Sequence, residues 1–353
     1  LDIADARESI ERDWRFESLP STRNTFLARG CARSYGDSCV NSDGLHINTG
    51  RLDRFIALDA DAGILRCEAG ATLNEILQVI VPRGWFLPVV PGTRFITLGG
   101  AVGNDIHGKN HHGAGSFGCH VRSLDLLRSD GSRPHCSPSE NAELFAATIG
   151  GLGLTGLITQ VEVALKPIAS SLLEAEDLIF SSMEEFRALT RESSEWEYTV
   201  SWVDTMARGG KVGRGIFSRA RWASEPVELD PGPRQPKLAV PFAFPFSLIN
   251  RYSVNPFNLF YYWAGARRAS RGVRNEHYQS SFFPLDAIDN WNSDYCTPGF
   301  YQYQCVLPYS GSDEALDQLM WEIHRSGEAS FLVVLKEFGE RQSPGMLSFP
   351  RPG

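Results

Sequence analysis

Across residues 72–80 the apolar positions are Leu73, Ile76, Leu77 and Ile80, the i, i+3, i+4, i+7 spacing of one helix face. Thr72-Leu73-Asn74-Glu75 has the form of a capping box, so a helix is predicted from Thr72, ending at Pro82 and Gly84. Upstream, residues 25–28 lead into a loop, and β-rich runs at 45–48, 55–59 and 64–68 read as strands. The last two strands are joined by a turn-like Asp59-Ala60-Asp61-Ala62-Gly63. Downstream, 121–128 reads as a strand, Asp130-Gly131 as a tight turn and 141–148 as a helix. In 157–165, Val161, Val163 and Leu165 alternate with Gln160 and Glu162, the period-2 pattern of a strand. Lys166-Pro167 closes this region, and a domain boundary is placed near residue 169, dividing the chain into 1–169 and 170–353.

The second half has a different pattern. A helix at 183–192 leads to strands at 198–203 and 212–218. Residues 225–245 are proline-rich and read as a loop or linker, expected to be mobile. An aromatic cluster, N-P-F-N-L-F-Y-Y-W, occupies 255–263 and reads either as a buried core patch or as a receiver for an apolar tail. A strand at 299–307, an amphipathic helix at 313–325 and a strand at 330–338 complete the α+β pattern. Period 2 puts Gln302 and Gln304 on one strand face, toward a ligand or toward solvent. Lys336 follows the apolar run 331–335 and is either salt-bridged or, if buried, a lysine of lowered pKa or a phosphate ligand.

The densest signal lies within the first half. Residues 90–121 hold eight glycines and four histidines. Glycine lets backbone approach a ligand closely, at an entropic cost. Thirty residues that accept this cost are expected to wrap something flat and polar, and a flavin fits best. Gly151-Leu152-Gly153-Leu154-Thr155-Gly156 fits G-x-G-x-x-G letter for letter, but a helix precedes it and a strand follows. A dinucleotide fingerprint needs the reverse order, so a Rossmann site is rejected. His107-Gly108-Lys109-Asn110-His111-His112 invites a metal, yet has no helical or knuckle spacing, and a role beside the cofactor is preferred. No metal site is expected. Neither a P-loop nor a G-x-S-x-G elbow occurs.

Composition narrows the classes. Hydrophobic content of 42% and charged content of 22% over 353 residues suit a globular protein of two domains. A net charge of −8 argues against nucleic-acid binding, though a local Lys/Arg cluster can still hold a phosphate. Seven scattered cysteines without C-x-x-C suggest a reduced compartment. No apolar run approaches a membrane span and no leader pattern is visible at the start. The expected location is therefore cytoplasmic, or peripheral at a membrane or cell envelope.

Arg29-Gly30-x-x-Arg33-Ser34-Tyr35-Gly36-Asp37, Pro91-Gly92-Thr93 with Thr97-Leu98-Gly99-Gly100-Ala101, the D-I-H-G-K-N-H-H run at 105–112, and G-G-L-G-L-T-G at 150–156 together resemble the vanillyl-alcohol oxidase (PCMH-type) family of FAD-linked oxidases. Within it, the match resembles the branch that acts on polyprenyl-phosphoryl ribose, and S-W-V-D at 201–204, F-P-L-D at 283–286 and V-L-K-E-F-G at 334–339 extend it over nearly the whole chain. The resemblance implies an FAD-binding domain and a substrate (cap) domain with an antiparallel sheet. The implied reaction is oxidation of the 2′-hydroxyl of a polyprenyl-phosphoryl-β-D-ribose to a 2′-keto intermediate. This would be the first half of a 2′-epimerisation for cell-wall arabinan precursors, completed by a partner short-chain reductase. An aldonolactone- or alditol-type sugar oxidase using oxygen is the alternative enzyme, and a catalytically dead scaffold is the non-enzymatic one.

The same resemblance places FAD against Arg29, Gly30, Cys31, Ala32, Arg33, Ser34, Tyr35, Gly36, Asp37 and Ser38 of the first loop. It adds Gly92, Thr93, Thr97, Leu98, Gly99, Gly100, Asn104, Asp105, Ile106 and His107 of the second, and Ile158. Arg33 stands where many members carry a flavin-linking histidine, so the FAD is expected to be non-covalent. Tyr35, His107, Lys109, Gln302, Gln304 and Lys336 are the implied catalytic group, with Trp202, Phe282, Lys336 and Phe338 binding substrate. Val200 departs from a small polar residue common in the family. Members also continue past residue 353 back into the FAD domain, with a further active-site lysine and, in some, a reactive cysteine, so that return is expected to be missing here.

Overall fold

A computed structural model describes residues 8–353 apart from 23, 35, 37, 208, 210–211, 228, 236–237, 240–250, 290–301, 328–329 and 331. The chain opens with three short parallel strands, β1 (Glu8–Glu11), β2 (Phe26–Arg29) and β3 (Leu45–Asn48), in the order β1-β3-β2. The hairpin β4 (Phe55–Asp59) and β5 (Ile64–Glu68) leads to helix α1 (Leu73–Ile80). Both arms of the capping box are made: Thr72 accepts from the Glu75 N–H and Glu75 accepts from the Thr72 N–H. Leu73, Ile76, Leu77 and Ile80 are all buried, and Gly84 ends the following turn at φ 81°. The short strand β6 (Trp85–Phe86), α2 (Leu98–Gly103) and the one-turn α3 (His111–Ala114) follow. Next come β7 (Val121–Leu127), β8 (His135–Cys136), α4 (Ala142–Thr148), β9 (Leu157–Ala164) and β10 (Lys166–Pro167). The first large sheet is antiparallel with strand order β4-β5-β9-β7-β8.

The second half builds another five-stranded antiparallel sheet, so the fold is α+β as expected. Its strands are β11 (Leu172–Phe180), β12 (Tyr198–Val203), β13 (Gly215–Trp222), β15 (Arg274–His277) and β17 (Val334–Leu335), ordered β15-β11-β13-β12-β17. Between them lie α5 (Met183–Glu192), β14 (Leu238–Ala239), α6 (Arg251–Ala269), α7 (Tyr278–Phe282), β16 (Ile288–Asp289) and α8 (Ser312–Ser326). One apolar core crosses from Leu65, Ile76 and Val161 in the first half to Leu173, Tyr198 and Phe282 in the second. Phe86 is its keystone, with ring centroids 4.9 Å from Tyr278 and 5.7 Å from Phe282. A buried phenylalanine of this kind stabilises by about 2–3 kcal/mol. A smaller core packs Met183 and Phe186 of α5 and Met320 of α8 against Phe180, Val203 and Phe217 of the sheet.

Several expectations need correction. The strand expected at 212–218 runs Gly215–Trp222 instead. Gly213 sits at φ 83°, outside the strand region, and a Cβ on Gly215 would lie 2.1 Å from the Trp202 carbonyl oxygen. Of the strand expected at 330–338, the described residues pair at Val334–Leu335, with Trp202 and Ser201, and the Val333 carbonyl accepts from Val203 at 3.0 Å. Residues 302–307 have no strand pairing among the described residues, and 299–301 lie outside them. The aromatic cluster is part of helix α6, with Pro256 inside it. Of the proline-rich run, residues 231–234 are pinned to α1 and α7: Gln78 donates to the Gly232 carbonyl (3.0 Å), Asn74 to that of Arg234 (3.2 Å) and Tyr278 to that of Pro231 (2.8 Å). The expected mobility of that run otherwise falls mostly on residues outside the described set. The last described residues also touch the first half, ahead of where the expected return would begin: Met346 donates to Ala146 (2.9 Å) and Ser343 to the Asp105 carboxylate (2.5 Å).

Candidate active site

A cavity of about 2250 Å³ lies between the two sheets. Its first-half wall is made of loops and the start of α2, with glycines at several of the bordering positions. Gly30, Gly92, Gly99, Gly100, Gly103 and Gly153 border it. Nothing lies within 4 Å of where a Cβ on Gly92 would stand, so the space there is open to a ligand. Gly30 answers a different need, since its Cβ would lie 2.3 Å from Thr97 Oγ1. Thr97 is fixed as the N-cap of α2, accepting from the Gly100 N–H at 3.1 Å. Small residues at these contacts hold the 29–38 and 91–100 loops together and leave a trough for a long, flat, polar molecule. A helix before and a strand after Gly151–Gly156 are as expected, and Leu152 at φ 53° with Gly153 at φ 80° turns the chain along the trough.

Where the trough meets the second half, titratable groups converge. His107 is held by a bridge to Ser116. Its Nδ1 lies 2.8 Å from Lys336 Nζ and its Nε2 lies 3.3 Å from Gln304 Nε2. With Gln304 donating, Nε2 is the acceptor, the ring proton sits on Nδ1, and Lys336 accepts it as a neutral amine. The electrostatics agree: burial and then the Lys109 charge push Lys336 down to about 7. Burial, then Lys336 and His111, also hold His107 far below its usual value, so the ring is neutral. Phe338 packs on both histidines, with centroids 4.9 Å from His107 and 4.5 Å from His111. His111 falls to about 4, through burial first and Lys336 second.

Lys109 donates to the Ser281 carbonyl. Burial lowers it to about 8, against the opposing pull of Glu276 and Asp177. The second of these, Asp177, belongs to a charged cluster the sequence reading missed. Asp177 is buried on β11 and accepts from Ser218 (2.6 Å), Arg268 of α6 (2.8 Å) and Arg274 of β15 (3.0 Å), while Arg219 binds Glu176 at 2.6 Å. The available signal was Asp177 itself, a carboxylate on the strand face otherwise occupied by Leu173 and Ala175. Arg94 was also missed: its N–H donates to Asp286 (2.8 Å) and its guanidinium to the Pro233 carbonyl (2.8 Å), joining the glycine loop to the second half.

The cavity brings together most of the expected residues: Arg29, Gly30, Cys31, Ala32, Arg33, Ser34, Ser38, Gly92, Thr93, Thr97, Gly99, Gly100, Asn104, Asp105, Ile106, His107 and Ile158. On the substrate side it gathers Lys109, Trp202, Phe282, Gln302, Gln304, Lys336 and Phe338. Three placements differ. Leu98 is fully buried in the core and Gly36 is exposed away from the cavity, at φ 68°. The Asp105 carboxylate is taken up by the Gly118 N–H (2.7 Å) and the Ser343 hydroxyl, so only its backbone is left for a cofactor. Tyr35 and Asp37 lie outside the described residues. The 107–112 run is not wholly irregular either, since Asn110 accepts from Gly113 and Ala114 and starts the turn of α3.

The glycine-bordered trough fits FAD, and residues 18–137 match the FAD binding domain family model. The chain is an FAD-dependent oxidoreductase. Over 340 residues it is 38% identical to the decaprenylphosphoryl-beta-D-ribose oxidase of Mycolicibacterium smegmatis, covering 93% of this chain and 72% of that protein. It belongs to that oxidase's family. An uncharacterised Streptomyces coelicolor protein is 33% identical over 297 residues, 80% of this chain and 78% of its own. Mouse L-gulonolactone oxidase is 30% identical over only 128 residues, 36% of this chain and 28% of its own. Among the described residues no helix is long and apolar enough to cross a membrane.

Proposed function

We propose that this chain oxidises the 2′-hydroxyl of a polyprenyl-phosphoryl-β-D-ribose to the 2′-ketone, using non-covalent FAD held by residues 1–169, with residues 170–353 binding the substrate. The observation that carries this is the Lys109–Lys336–His107–Gln304 cluster where the glycine trough meets the second sheet. FAD, when bound, supplies a hydride acceptor for a C–H bond. Gly30, Gly92, Gly99 and Gly100, with Thr93 and Asn104, would hold it.

The protein's own part is protonic and positional. Lys336, neutral near pH 7, takes the substrate hydroxyl proton on Nζ as the C–H bond is broken and the carbonyl forms. At rest His107 Nδ1–H holds the amine's single lone pair and Gln304 fixes the ring; the substrate hydroxyl displaces that hydrogen bond before Nζ takes its proton. Lys109, protonated below about 8, is the cation for the substrate phosphate. Trp202 and Tyr261, with ring centroids 4.8 Å apart, present an apolar wall to the prenyl chain and exclude water. The keto product calls for a separate reductase, here a short-chain type, to return a hydride with inverted configuration. A site at a membrane surface or in the cytoplasm would serve both partners.

Anaerobic addition of a polyprenyl-phosphoryl ribose is expected to bleach the flavin band. Bleaching by an aldonolactone or free alditol, but not by the lipid-linked sugar, would replace this reading with that of a simple sugar oxidase. Acid precipitation is expected to release the yellow colour to the supernatant. Colour retained in the pellet would show a covalent link.

A further inference from the structure

Helix α6 has an outward face of the wrong chemistry for water. Its buried stripe is narrow: Val254 and Asn258 turn inward, and Gly265 packs so closely that a Cβ would lie 2.2 Å from Ile216 Cδ1. On the other side Phe260 is 72% and Trp263 65% exposed, with Leu259 beside them. These positions, at i, i+1 and i+4, make one apolar patch rather than scattered side chains. An aqueous face would ordinarily be polar.

Charge defines what could cover this patch. Residues 251–274 contain Arg251, Arg267, Arg268, Arg271 and Arg274 and no acidic residue, on a chain of net charge −8. Arg268 and Arg274 serve Asp177, whereas Arg267 and Arg271 are exposed at the C-terminal end of the helix. Exposed Trp and Phe beside arginines are the side chains of a helix lying in a bilayer interface, where rings sit at headgroup depth and guanidinium groups meet anionic lipid. The patch is also continuous with the cavity. Phe257 stacks on Tyr261 with centroids 6.0 Å apart, and Tyr261 meets Trp202, so aromatic surface runs from the outer face of α6 to the substrate side.

We infer that the outer face of α6 docks this protein on anionic membrane surfaces, Phe260 and Trp263 entering the interface and Arg267 and Arg271 binding the headgroups. The docking stands on α6 alone. Its use as the entrance for a lipid-linked substrate rests on the function proposed above.

The test is flotation of the FAD-loaded full chain with phosphatidylglycerol/phosphatidylcholine vesicles, beside sedimentation velocity without lipid. Wild type is expected to float with the anionic vesicles, and Trp emission to shift to the blue, a shift lost in Trp263→Phe. Phe260→Ser/Trp263→Ser should weaken binding at least about tenfold. Arg267→Gln/Arg271→Gln should weaken it on anionic vesicles, and salt should weaken wild type similarly. Both variants should keep their flavin spectrum and bleach normally with a water-soluble short-chain polyprenyl-phosphoryl ribose. Equal flotation of wild type and the Phe260/Trp263 variant would overturn the docking. So would a wild-type dimer that the serine substitutions dissociate in the absence of vesicle binding, since the patch would then face a second copy. Failure of the short-chain substrate to bleach even wild type would instead overturn the substrate reading and leave the docking standing.

Discussion

The two walls of the cavity solve opposite problems. The glycine wall, residues 28–34 and 91–104, shapes space by placing glycines at close approaches such as Gly30 and at open points such as Gly92, and its geometry is fixed by short-range hydrogen bonds such as Gly100 N–H to Thr97 Oγ1. The substrate wall shapes chemistry by bringing charges in, from β11, α6, β15 and the 336–338 segment, across sequence separations above 200 for Lys336 and His107. A ligand that is the same in every turnover suits the first kind of wall. A proton that must move suits the second, because burial and a neighbouring like charge bring a lysine's pKa down toward neutrality.

The comparison breaks most sharply if the glycine wall is filled. Gly30→Val puts branched carbon where Thr97 Oγ1 already lies, 2.3 Å from the Cβ position. The two loops must part, and the purified variant is expected to lack the flavin band altogether while keeping its far-ultraviolet circular dichroism. A yellow Gly30→Val protein would show that loop contact is not what holds the trough. Lys336→Met tests the other wall, where FAD should be retained in full. Removing the proton acceptor should lower kcat by about 10²–10⁴. Stopped-flow flavin reduction under anaerobic conditions reads this directly. Loss of FAD from Lys336→Met, or reduction at the wild-type rate, would erase the division between the walls.

The same difference explains what was legible in the order of residues. Helix α1 with its capping box, the strands of the first sheet, and the cofactor loops are local: each is specified within about ten residues by spacing, turn chemistry or glycine. The glycine run at 90–121 is therefore visible in the order of residues, while its residue-by-residue assignment to FAD rests on the family resemblance. The substrate wall could not be assembled that way, because Asp177 marks itself as a carboxylate on an apolar strand face but its partners Arg268 and Arg274 lie about 90 or more residues away. Where strands were misjudged, tertiary contact decided. Val334–Leu335 pairs only because Trp202 and Ser201 offer an edge, and residues 302–307 keep their apolar and polar alternation without a ladder. Residues 255–263 read as apolar without telling which side faced the core. Within one motif the roles divide: the helix turns the Leu98 side chain inward, while its neighbours Gly99 and Gly100 border the trough.

The subtlest expectation concerns coupling within the substrate wall. Lys336 lies at about 7 because burial and, after it, the Lys109 charge disfavour its protonated form. The active form is the neutral amine, so kcat/KM should rise with pH through about 7. Lys109 acts as a cation and lies at about 8, so the rate should fall as it deprotonates, giving a narrow bell between the two values. Lys109→Met removes the repelling charge. Protonated Lys336 is then less disfavoured, its pKa rises, and the acid limb of the profile must move to higher pH while the alkaline limb due to Lys109 disappears. Because burial is the larger cause and remains, the limb should move only part of the way toward an ordinary lysine. KM for the phosphorylated substrate should rise in the same variant, through the lost phosphate contact. An acid limb that stays in place in Lys109→Met would mean the two amines do not sense each other, and the proton acceptor would have to be sought elsewhere than Lys336.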